Sequence, residues 1–233
     1  MSHRLNPRRD FLRTVSIGST IVAATGLEAC ASSVSALTTL PPSQPARGFD
    51  LSWVDRLKAP FRVAFNITQK NDLGLMQAWM WMDGFRQAYG TEDKDLNAVL
   101  VFRHEAVAMM LDDAMWARMG ILESSSGSAP ANAAATPPGR NPWLSKPASN
   151  GPSGSQDTDY TISALRARGV IMLACNMALR GQVSRLRQKE NLAQEDADKA
   201  IRSAIVPGCY IVPNGIFAVS RAQMAGCAYF APG

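Results

Sequence analysis

The chain has 233 residues, with 24 Lys and Arg against 19 Asp and Glu, a formal charge of +5, 46% hydrophobic residues and 18% charged ones. That balance excludes a disordered chain, and four cysteines among 17 glycines exclude both a disulfide-rich scaffold and a collagen-like repeat. No uninterrupted apolar run reaches the roughly 20 residues of a membrane-spanning helix, and the length fits one domain with a sizeable core.

Residues 1–36 read as a targeting and processing region, to be set aside before fold is considered. Asn6-Pro7-Arg8-Arg9-Asp10-Phe11-Leu12-Arg13 resembles the twin-arginine export motif: Arg8 and Arg9, then the bulky apolar pair Phe11 and Leu12, then a further basic residue. A mildly apolar stretch follows from Val15 to Leu27. The motif predicts that the twin-arginine machinery exports the folded chain, to the periplasm or otherwise out of the cytoplasm. Leu27-Glu28-Ala29-Cys30 resembles a lipoprotein processing site with Cys30 as the lipidated residue and lipid as the membrane anchor. Glu28 departs from the usual small or apolar residue there, and cleavage after Ala31 or Ala36 is the alternative. Beyond residue 30 the chain keeps 20 basic against 17 acidic residues, a charge of +3. No basic block there is interleaved with aromatics, so no nucleic-acid partner is expected.

Residues 37–60, rich in Pro, Ser, Thr and Ala, read as a tether. From 61 to 233 strand and helix signals alternate. Short branched apolar runs predict buried strands at Arg62–Ile67, Asn97–Phe102, Val170–Ala174, Cys209–Val212 and Cys227–Phe230. Helices are predicted over Leu73–Tyr89, Glu105–Met119, Thr161–Arg168, Asn176–Glu190, Gln194–Ile205 and Ile216–Ala225. Between them, 123–159 is a low-complexity insert of Ser, Gly, Pro, Ala and Asn, too poor in apolar residues to fold alone. Only Arg140-Asn141-Pro142-Trp143-Leu144 in it carries the means to dock.

Continuous apolar strands alternating with helices predict a mostly parallel, five-stranded sheet covered on both faces, an α/β domain. Such sheets bind ligands at the carboxyl ends of their strands, which selects Asn66, His104, Cys175 and Asn214.

Four segments in order resemble the DsrE/DsrF-like family: Val99-Leu100-Val101-Phe102-Arg103-His104-Glu105-Ala106-Val107, then Gly169 through Cys175 to Leu179, then Val206-Pro207 through Pro213-Asn214-Gly215-Ile216, then Gln223 through Cys227 to Tyr229. The resemblance spans roughly Phe61 to Pro232, with the insert outside it. It implies a single flavodoxin-like three-layer domain, assembly as a homo-oligomeric trimer or hexamer, and carriage of sulfur as a persulfide on Cys175 between a donor and an acceptor. Residues support part of this independently. Cys175 stands between a strand and a helix start, where backbone N–H groups and the helix dipole favour a thiolate. His104 is the neighbouring strand-end group available to deprotonate or pair with it. Asn66, Asn176 and Asn214 are expected to line the pocket.

Cys209 and Cys227 are expected to begin adjacent strands, as small core residues or as a disulfide. A single His beyond residue 30 and the absence of a Cys-x-x-Cys pair argue against a metal site, and the lack of a Gly-rich phosphate loop argues against a nucleotide cofactor. Met76, Met80, Met115 and Met119 have the i,i+4 spacing of an apolar helical stripe, with a Cu(I) carrier as the remoter alternative. Two functional classes therefore remain: a thiol or reduced-sulfur protein acting through Cys175, and a non-catalytic binding or assembly module of the same fold.

Overall fold

The computed structural model describes residues 48–121, 139–145 and 160–232. Arg8, Arg9, Phe11, Leu12 and Cys30 lie outside the described residues.

Five parallel strands form one sheet: β1 (Phe61–Ile67), β2 (Leu96–Phe102), β3 (Ile171–Cys175), β4 (Tyr210–Val212) and β5 (Ala228–Phe230), in the order β4-β3-β2-β1-β5. Pairing sets Phe65 beside Leu100 and Leu100 beside Met172, while Ala64 pairs with Val99 and Val99 with Ile171. Successive side chains point to opposite faces, so the first row joins one apolar cluster and the second joins another. That is why the central strands are apolar throughout rather than alternating.

Topology explains the layers. The chain steps from β1 through β2 and β3 to β4 in one direction, then returns past β1 to place β5 at the far edge. Right-handed crossovers put the outward steps on one face and the return on the other. The first face carries α1 (Leu73–Tyr89), α2 (Asp113–Met119), α3 (Ile162–Ala167), α4 (Asn176–Glu190) and α5 (Gln194–Ser203). The second carries α6 (Gly215–Met224), whose Ala218 and Ala222 pack on Ala64, Val99 and Leu173. The result is the three-layer α/β arrangement of flavodoxin-like domains. At Gly74, a Cβ would lie 2.8 Å from Ile67 Cδ1, so α1 approaches β1 as closely as a glycine permits.

Two expectations require correction. Residues 48–60 are no tether: a 3-10 turn at Ser52–Arg56 buries Trp53 completely, and Leu57 and Ala59 follow it into the core. The apolar residues scattered through this stretch outweigh its polar composition. Nor is Glu105–Met119 one helix. His104–Met110 is 3-10, Leu111 bridges antiparallel to Ile205, and α2 starts afresh where the Asp112 side chain accepts from Met115 N at 2.8 Å. Ala106 through Leu111 are all buried, which leaves no solvent face for an amphipathic helix there.

The docking point of the insert is built as a polar plug with an apolar neighbour. Asn141 Nδ2 donates to the carbonyls of Met109 and Leu111, both at 2.8 Å, and its Oδ1 accepts from Trp143 N at 3.1 Å. Trp143 is buried edge-on against Trp116, and Arg140 pairs with Asp113 at 2.8 Å.

Candidate functional site

β3 runs into α4 with no intervening residue, so Cys175 is at once the last strand residue and the N-cap of the helix, with extended backbone. Beside it β4 ends at Val212, and after Pro213 the Asn214 side chain caps α6 by accepting from Phe217 N at 2.9 Å. The helices that follow these two neighbouring strands leave on opposite faces. An open α/β sheet must part at such a point, and ligands bind in the crevice so formed. A cavity of about 260 Å³ occupies it, lined by Arg103, His104, Cys175, Met177, Ala178, Asn214, Gly215 and Ile216.

The third wall comes from the end of β2. Arg103 is anchored by its N–H to Ile67 O at 3.0 Å, and His104 follows with φ +50. A left-handed conformation in a residue with a Cβ costs of order 1 kcal/mol and tends to persist where function requires it. Arg103 Nη2 lies 2.9 Å from His104 Nε2. A guanidinium only donates, so Nε2 is the acceptor and the ring proton sits on Nδ1. The Arg103 stem in turn rests on Gly215, where a Cβ would lie 2.8 Å from Arg103 Cδ and 3.2 Å from its Cβ. One contact chain thus runs from α6 through Arg103 to the imidazole.

Cys175 is 5% exposed at the base of this crevice, while Met177 at 64% and Ile216 at 67% stand at its rim. The structure therefore brings together Cys175, His104 and Asn214. It places the other two asparagines elsewhere. Asn66 Nδ2 donates to the Tyr229 hydroxyl at 3.1 Å, toward β5, and Asn176 is buried with its Oδ1 accepting from Arg202 Nη2 at 2.8 Å. Neither lines the cavity. Arg103, Gly215, Met177 and Ile216 were not singled out from sequence. Arg103 was the legible one, a cation next to His104 at the strand end. Among the described residues of the insert none borders the cavity.

Cys209 and Cys227 do precede strands at the amino edge, away from Cys175, but β4 and β5 are opposite edges of the sheet, so the expected adjacency fails and no bridge joins them. Burial pushes their thiols up to about 12 and about 11, partly offset by Arg166 and Arg62 respectively. A larger cavity of about 480 Å³ includes Cys209, whose thiol is accordingly protonated at neutral pH. Of the methionines considered for copper, Met115 is buried in the core, Met76 and Met119 are half-buried and Met80 is exposed. Among the described residues no group of three or more His, Cys, Asp or Glu converges.

No family model matches the chain, and no curated protein does. Among solved structures it is similar to a protein of unknown function, MTH1491 from Methanobacterium thermoautotrophicum, at 14% identity, over 74% of this chain and 99% of that one, with a TM-score of 0.39.

Proposed function

We propose that this is an exported, DsrE-like protein that carries reduced sulfur, or performs thiol redox chemistry, through Cys175. The observation that carries the reading is the placement of Cys175, a sheltered thiol at the switch-point crevice, in one cavity with His104 and the Arg103 guanidinium. The thiolate is the nucleophilic form of cysteine. In the proposed step the Cys175 thiolate attacks the outer sulfur of a donor persulfide, RS–SH. A bond forms between Cys175 Sγ and that sulfur as the donor S–S bond breaks, and the donor leaves as the thiolate RS⁻. Nothing is oxidised or reduced overall. With Nε2 held by Arg103, the ring nitrogen that His104 has left to offer a ligand is Nδ1.

Export by the twin-arginine route and a periplasmic or lipid-anchored location belong to the same reading. So does assembly as a homo-oligomer, which the exposed Met80 and Tyr89 and the half-buried Trp81 and Phe85 of α1 favour. Intact-mass analysis of protein recovered from cell fractions tests these together. The expected spectrum has a processed amino terminus and, after an organic persulfide challenge, gains one sulfur that Cys175→Ser does not gain. Equal gain in both proteins, or none in either, overturns the sulfur reading.

A further inference from the structure

The crevice has a chemistry that selects its ligand more narrowly than sulfur chemistry alone. Arg103 lines it with no carboxylate in ion-pair range among the described residues, and its one side-chain bond is to a neutral imidazole. Arg168 is neutralised by Asp93 and Arg202 by Asp198, whereas Arg62, Arg166 and Arg221 share with Arg103 the lack of an ion-pair partner among the described residues; of these Arg103 alone lines the crevice. A guanidinium has five N–H donors, so Arg103 retains several for an incoming acceptor. The first turns of α4 and α6 open onto the same space and reinforce a demand for negative charge. Opposite this cationic end, Met177, Ala178 and Ile216 make an apolar wall, and two of them are large side chains left in solvent.

Size adds a third restriction. About 260 Å³ is the volume of roughly eight or nine liquid waters, a little below the range of drug-sized sites. A hydrosulfide ion fills a small corner of it. The thiol at its base, only 5% exposed, must be reached by something that enters rather than by a surface that docks flat.

We infer that the crevice is a receptor for a small organic anion, a carboxylate or sulfonate on a short apolar chain. Resting on the reading of Cys175 given above, its natural ligand is a thiol or persulfide of that class. The anionic group answers to Arg103, the chain lies along Met177 and Ile216, and the sulfur is delivered toward Cys175.

Calorimetric titration of the full-length protein with propionate, butyrate, hexanoate, hexanesulfonate and hexanol tests this. These probes contain no transferable sulfur, so the measurement is blind to whether Cys175 accepts any. Hexanoate and hexanesulfonate are expected to bind wild type and Cys175→Ala alike. Affinity should rise up to about fourfold per methylene from propionate to hexanoate. Hexanol should bind about tenfold more weakly or worse, and Arg103→Gln should weaken hexanoate by about tenfold or more. If none of the anions binds, or Arg103→Gln leaves hexanoate affinity unchanged, the inference is overturned. Persulfide loading without anion binding would mean that the donor is an uncharged persulfide or one carried on another protein, and only this inference would fall. Anion binding without loading would leave the receptor standing and remove the sulfur reading.

Discussion

Replacing Asn141 with alanine removes a side chain that is 2% exposed and satisfies three backbone groups at once. The Met109 and Leu111 carbonyls each lose a donor at 2.8 Å, and Trp143 N loses its acceptor. A neutral hydrogen bond contributes about 0.5–1.5 kcal/mol net, and a buried group left unpaired costs about 1–3 kcal/mol. Relaxation and water entry recover part of this, so the expected loss is about 2–4 kcal/mol, or roughly 5–15 °C in Tm for a domain of this size. Trp143 should loosen without leaving, because its carbonyl still accepts from Ile162 N at 2.9 Å, Arg140 still pairs with Asp113, and its ring still meets Trp116. Urea unfolding followed by tryptophan fluorescence reads both effects. Asn141→Asp separates the cause from simple loss of volume: it keeps the shape but sets a carboxylate against two carbonyls, and should be at least as damaging as alanine. A loss below about 1 kcal/mol for Asn141→Ala would refute the reasoning.

Two further outcomes are expected. Burial pushes Cys209 and Cys227 up to about 12 and about 11 from an ordinary 9.0, so at pH 8 only about one in 10⁴ and one in 10³ are thiolate, and iodoacetamide should leave both intact while the fold holds. Because the unfolded thiols ionise first, their share of stability is complete below pH 9 and declines as pH climbs toward 11–12; peptide mapping that finds either one labelled as fast as a free cysteine at pH 8 would contradict this. Gly215→Ala brings a methyl within 2.8 Å of Arg103 Cδ, so the guanidinium should leave His104 Nε2 at a cost of about 1–2 kcal/mol, and unchanged ring-nitrogen shifts in NMR would show that Gly215 does not position it.

Most of the fold was legible because its signals are local. α1 and α4 have the predicted bounds, since Gly90 and Asn191 end them in left-handed conformations. The three central strands were legible because apolar runs of this length bury both faces. Errors arose where long-range contacts decide. Leu111 leaves the helical path to bridge Ile205, almost a hundred residues away, and nothing near Leu111 announces it. The neighbourhood of Cys209 and Cys227 was misjudged because strands next to one another in sequence usually pair, whereas here the chain crosses the whole sheet between them. At the site, the strand-end rule located backbones correctly and side chains imperfectly. Asn66 and Asn176 stand where that rule puts them, yet each spends its amide on a partner outside the crevice, Tyr229 and Arg202. Arg103 was legible as a cation beside His104 at the strand end, but its contacts with that ring and with Gly215 are set by the fold.

Both margins of the sheet are three-residue strands, β4 and β5. Margins so brief offer an incoming strand too few open backbone groups to template onto, a guard against cross-chain polymerisation. The broader apolar display lies instead in the helical layer, where α1 carries its row of half-covered rings, apart from the crevice between β3 and β4.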